Sequence, residues 1–161
     1  MKHREALLIA EKVKAMLAPH CERVEIAGSI RRKKAEVKDI EIVAIPKPYG
    51  VGLFESGIAT VVNQWPKVKG NLPCKYTQRT LPEGIKLDLF FATKENWGMI
   101  FAIRTGSAEY SHKTLARKWT SLGYKSEGGH LYIDDKKLDF LEEKDLFDKL
   151  GIKYLEPEFR G

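Results

Sequence analysis

Asp39-Ile40-Glu41-Ile42 constrains this chain more than any other segment, because acids alternate with branched apolar residues at a period of two. Successive side chains of a β-strand point to opposite faces. A strand here buries Ile40, Ile42 and Ala44 on one side and carries Asp39 and Glu41 together on the other, before Pro46 and Pro48 end it. A second acid, Asp88, lies in Lys86-Leu87-Asp88-Leu89-Phe90, within a strand expected over residues 85–92. If the two strands are neighbours, three carboxylates share one site. Such a trio repels itself and resists joint ionisation unless cations sit between its members. Hard oxygen ligands of this kind suit Mg²⁺, which also takes phosphate oxygens. Taken alone, the same acids could simply occupy the wet face of a half-exposed strand.

The remaining pattern surrounds these strands with helices. Ala6, Ile9, Ala10, Val13 and Leu17 recur at helical spacing and Pro19 closes the segment, so the chain is expected to open with a core-facing helix. A strand is expected over 23–27. A helix is expected over 54–64 after the glycines at Gly50 and Gly52, and an extended run over 74–81 before a turn at Pro82 to Gly84. Beyond Asn96 the texture becomes helical, over 97–104 and 107–121, with Leu115, Trp119 and Leu122 at i, i+4 and i+7. Short β pieces over 130–133 and 136–140 flank a turn at Asp134-Asp135, and a helix over 142–150 stops at Gly151. Asp139 repeats the surroundings of Asp88 but reads as a surface or hairpin residue. The order predicts an α+β fold, with a mixed-sheet catalytic lobe and a smaller C-terminal lobe.

Bulk properties narrow the class further. A chain of 161 residues, 43% hydrophobic and without a long apolar run, reads as soluble and globular, with no membrane span. The charged start, Met1 to Glu5, does not read as a signal peptide, so an intracellular location is expected. Cys21 and Cys74 lack further ligands at metal spacing, which argues against a zinc site, and reduced thiols are expected. A net charge of +6, from 28 basic and 22 acidic residues, is compatible with a polyanionic partner or with a solvated basic surface.

Gly28-Ser29-Ile30-Arg31-Arg32 follows a predicted strand and shortly precedes the Asp39 strand. Gly28 lets backbone N–H groups approach a phosphate closely, Ser29 offers a hydroxyl, and Arg32 or Arg31 can fork onto phosphate oxygens. The alternative is an ordinary turn with two solvated arginines.

With these motifs in this order, followed by Arg104-Thr105-Gly106-Ser107 and Tyr154-Leu155-Glu156-Pro157, the sequence resembles the DNA polymerase X family, the polymerase beta relatives. The resemblance implies a polymerase beta-like nucleotidyltransferase palm over residues 1–98 and a nucleotide-selection, thumb-like lobe over 99–161. It implies two Mg²⁺ ions, with Mn²⁺ able to substitute, held by Asp39, Glu41 and Asp88 as catalytic residues. It also implies a nucleotide site comprising Gly28, Ser29, Arg32, Lys38, Arg104, Thr105 and Gly106. The implied reaction is DNA-directed nucleotidyl transfer from a dNTP to a primer 3′-hydroxyl, in short-gap filling or repair, by a monomer in the cytoplasm, a nucleoid or a viral setting.

The chain departs from that family in several places. Glu41 stands where the family has Asp, one methylene shorter. Ile103 and Arg104 replace an aromatic pair, which removes a bulky wall near the sugar 2′ position and leads us to expect weak discrimination against ribonucleotides and low fidelity. Ala108 and Ser111 replace polar residues that contact the base and the minor groove. The lyase-like and fingers regions of larger relatives are missing, as in small viral members, so another surface must grip primer/template or gapped DNA. Lys113, Arg117 and Lys118 are candidates for phosphate contacts, whereas His112 reads as a surface residue and Trp97 and Trp119 as core. A template-independent enzyme, a transferase acting on RNA or a small molecule, and an inactive nucleic-acid-binding module remain as alternatives.

Overall fold

The computed structural model describes residues 1–48 and 57–161. Gly50 and Gly52, and the part of the expected 54–64 helix before Gly57, lie outside the described residues. Helix α1 (His3–Leu17) turns Ala6, Ala10, Val13 and Leu17 inward, and a short 3-10 turn containing Pro19 leads into β1 (Cys21–Ile26). A short helix α2 (Gly28–Arg31) precedes β2 (Asp39–Pro46), and α3 (Ile58–Val62) precedes β3 (Lys67–Lys69), β4 (Tyr76–Thr80) and β5 (Lys86–Phe91).

These strands form one mixed sheet in the order β1-β2-β5-β4-β3, and only β2 and β5 run parallel. Strand β3, exposed along its length, carries no alternation and escapes the sequence pattern. One face of the sheet buries Ile40, Ile42, Leu87 and Leu89 against α1 and α3. The other face changes character along its length. Val43 pairs with Phe90, and both are covered by Trp97 and Phe101 of α4 (Trp97–Thr105). One step toward the start of β2, the paired residues are Glu41 and Asp88. The acids thus stand where the apolar half of that face gives way.

The helical stretch after α4 is not uniform. It comprises α5 (Ala108–Tyr110), a π-helical segment Ser111–Ala116, and α6 (Arg117–Ser121). Leu115 and Trp119 are buried as expected, but Leu122 is exposed, because the helix has ended and the chain turns at Gly123. A small antiparallel sheet follows, made of β6 (Lys125–Glu127), β7 (His130–Ile133) and β8 (Lys136–Leu138). Both Asp134 and Asp135 have positive φ, as a two-residue hairpin of the primed type requires, and Gly128-Gly129 makes the corresponding turn before β7. Asp139 is exposed. Helix α7 (Glu143–Leu150) begins with a capping box between Glu142 and Asp145 and ends at Gly151 in the left-handed region.

Glu143, only 6% exposed, joins distant parts of the chain. Arg31 forks onto both its oxygens at 2.8 and 2.7 Å, and Arg160 Nη1 donates to Oε2 at 2.5 Å. Arg31 also donates to Thr105 Oγ1 at 2.7 Å and lies 3.8 Å from the centre of the Phe101 ring. Burial alone would raise the Glu143 pKa, but the bonds and charges of Arg31 and Arg160 outweigh it and hold the carboxyl below the usual range. Glu143→Gln should cost about 3–5 kcal/mol of unfolding free energy, since it leaves the buried Arg160 and the partly buried Arg31 short of their anion. A depressed carboxylate pKa means that this stability is present above the unfolded value and disappears as pH falls through the folded one. Chemical denaturation of both proteins, repeated across the acid range, checks this; equal stability at neutral pH would contradict it.

Candidate active site

The three acids of the sequence pattern come together. Asp39 and Glu41 project from the open end of β2, and Asp88, 8% exposed, lies opposite Glu41 on β5. Their electrostatics carry the same message. Burial and then the charge of Asp88 raise the Asp39 pKa, with Lys38 and Lys86 opposing. Glu41 is pushed up to about 7, first by burial and then by Asp88, against the pull of Arg32 and Arg104. Burial and the charge of Asp88 thus both disfavour ionisation of Asp39 and Glu41.

Glu41 leans onto Gly28, whose φ is +60°; a Cβ at that position would come within 1.8 Å of Glu41 Oε2. Only glycine allows this approach, for reasons of both space and backbone. Among the described residues no three His, Cys, Asp or Glu side chains already close into a metal cage. The donor chemistry nevertheless fits Mg²⁺, which uses one or two carboxylates together with substrate phosphates and seldom an all-protein cage.

The turn after β1 separates the two arginines. Arg31 is committed to Glu143 and Thr105, which removes it as a phosphate ligand. Arg32 faces the acids; its Nη1 donates to the Thr105 carbonyl at 2.9 Å, and its buried Nε has no partner. Ser29 is half-buried and Lys38 exposed. Thr105 is fully buried, with its hydroxyl held by Arg31 and its carbonyl by Arg32, so its side chain faces inward and not toward a nucleotide. Gly106 packs under Tyr110, where a Cβ would meet the ring at 2.7 Å. Arg104 is exposed and lays its guanidinium 4.2 Å from the centre of the Phe90 ring, close enough to the acids to act on Glu41.

A cavity of about 420 Å³ opens beside Glu41, between Arg104, Gly106 and the π-helical segment at Ser111 and His112. Its size is that of a small-molecule site. Lys113 and Arg117 are exposed and Lys118 half-buried; Lys113 pairs with Glu109 at 3.1 Å. Sequence reasoning missed Tyr76 and Gln78 of β4, both of which donate to Asp88 Oδ1. Only the register of β4 against β5 reveals them. Both cysteines are free thiols, and burial raises the pKa of each. Among the described residues no helix is long and apolar enough to cross a membrane.

Compared with known proteins, the sequence matches no family model and no curated sequence. In three dimensions the whole chain superposes on 76% of the polymerase beta of Leishmania infantum, solved as a ternary P/T complex, with a TM-score of 0.79 and 17% identity. The fold is polymerase beta-like. At such low identity the likeness establishes the fold alone, and the chemistry has to be argued from the site.

Glu41 offers a direct check of the crowded acids. An acid whose pKa is raised on folding adds stability that is present below its unfolded value of about 4.3 and is lost as pH climbs through about 7. In buffer containing a chelator, Glu41→Gln should therefore melt higher than the parent at pH 8, with the gap closing toward pH 4. A gap independent of pH would refute the assignment.

Proposed function

We propose that this chain is a two-metal nucleotidyltransferase of the polymerase X type, transferring a nucleotide from a dNTP to the 3′-hydroxyl of a DNA primer. The observation that carries this reading is the convergence of Asp39, Glu41 and Asp88 beside a glycine turn and a cavity of nucleotide size. The ternary P/T complex of the Leishmania polymerase beta supports primer/template DNA as the partner. Residues 1–98 act as the palm and 99–161 as the nucleotide-selection lobe, in a monomeric, intracellular enzyme.

Asp39, Glu41 and Asp88 would hold the cations. Two Mg²⁺ ions, or Mn²⁺, would supply Lewis acidity, easing loss of the primer hydroxyl proton and balancing charge on the departing pyrophosphate. Ser29 and Arg32 hold the β and γ phosphates, with the Gly28 backbone close and Lys38 adding charge from the rim. Thr105 acts through Arg32, whose guanidinium it orients. The cavity between Arg104, Gly106 and the π-helical segment receives sugar and base. Arg104, over the Phe90 ring, presents no aromatic wall to a 2′-hydroxyl, which favours weak ribonucleotide discrimination. Lys113, Arg117 and Lys118 track primer phosphates from the helix beyond, so affinity should fall as salt rises.

Primer extension with Mg²⁺ or Mn²⁺ on gapped, templated and single-stranded DNA tests the reading. Template-directed addition is expected, reduced at least a hundredfold by Asp88→Asn, together with a dNTP-over-rNTP preference that Arg104→Phe increases roughly tenfold. Addition to single strands alone would indicate a terminal transferase, and no addition to any DNA would overturn the proposal.

A further inference from the structure

Asp88 is held on one side only. Tyr76 Oη donates to its Oδ1 at 2.6 Å, and Gln78 Nε2 donates to the same oxygen at 2.8 Å. Among the described residues no hydrogen bond falls on Oδ2.

The strand register explains why both donors arrive there. Gln78 lies directly opposite Asp88 and Tyr76 opposite Phe90, so all four side chains share the face that carries the acids. The Tyr76 ring stacks on Phe90, with centroids 4.9 Å apart and planes inclined by 22°, which fixes where its hydroxyl points. An ionised carboxylate only accepts, so the donor nitrogen of Gln78 must face it.

We propose that Tyr76 and Gln78 are positioning residues: they occupy Oδ1 of Asp88, offer Oδ2 alone to a divalent cation, and thereby favour Mg²⁺ over larger ions. The physical basis is the difference in coordination. Mg²⁺ demands near-ideal octahedral geometry with short bonds to single oxygens, whereas Ca²⁺ accepts a carboxylate through both oxygens at longer range. Hydrogen bonds that orient a ligating carboxylate commonly change metal affinity or activity by 10–100-fold. A carboxylate tied at one oxygen cannot close on a large ion with both. This inference rests on the metal-dependent reading of the site but not on the identity of the nucleotide acceptor.

The test uses the full chain with Mn²⁺ as the probe, its free concentration read by electron paramagnetic resonance, and Mg²⁺ or Ca²⁺ as competitor. Tyr76→Phe keeps the stacked ring and Gln78→Leu keeps the side-chain bulk, so thermal melts can verify that the double variant is folded. Mg²⁺ competition should weaken about tenfold in the double variant while Ca²⁺ competition changes less, and each single variant should lie between. Parental Mg²⁺/Ca²⁺ selectivity in the folded double variant would overturn the proposal, as would Mn²⁺ binding that Asp88→Asn leaves untouched or no Mn²⁺ binding by the parent. Primer extension on the same proteins separates the two readings. Extension with unchanged metal preference in the double variant removes the positioning role and spares the polymerase, whereas altered metal selectivity without extension on any primer does the reverse.

Discussion

The carboxylate of Glu143, enclosed by Arg31 and Arg160, is the contact on which the rest of the arrangement depends. A lone buried charge is costly, and two guanidinium groups satisfy this one only if the turn after β1, the start of α7 and the C-terminal residues all meet. The backbone N–H of Ser107 donates to the carbonyl of Arg160, which ties the end of α4 into the same junction. Arg31 thereby anchors the turn whose next residue, Arg32, faces the acids. Residues more than a hundred positions away in sequence thus hold the candidate phosphate-binding turn in place.

Against that anchored turn, the sheet supplies the charge. One face of β2 and β5 changes from Val43 and Phe90, sealed under α4, to the acids Glu41 and Asp88. This break in the apolar pattern concentrates like charges at the edge of a packed core, where water screens them poorly. The chain answers with Arg32 and Arg104 at the rim and with Gly28, which leaves room for the Glu41 carboxylate. Local stability is given up at a place where binding can restore it.

Much of this was legible from residue order. A period of two placed Asp39 and Glu41 on one face, the Asp88 strand showed the same alternation, and the Trp119 core position followed from helical spacing. Other features left no comparable trace. Strands β3 and β6 are three residues long and exposed, so neither carries a hydrophobic pattern. The π-helical segment Ser111–Ala116 preserves the helical look of its sequence while changing the angular step. Arg31 and Arg32 are identical in type and adjacent, yet one is bolted into the core and the other turned to the site.

What the sequence determined by itself was the chemistry available: which strand faces are acidic, where a glycine admits close approach, and that helices and a mixed sheet share the core. These are properties of short windows, set by side-chain alternation and backbone sterics. Tertiary structure alone decided which acids meet, which arginine is spent on Glu143, that Thr105 turns inward, and that Tyr76 and Gln78 grip one oxygen of Asp88. Such outcomes depend on strand order and on contacts between residues far apart along the chain, and no local pattern encodes the distance between them.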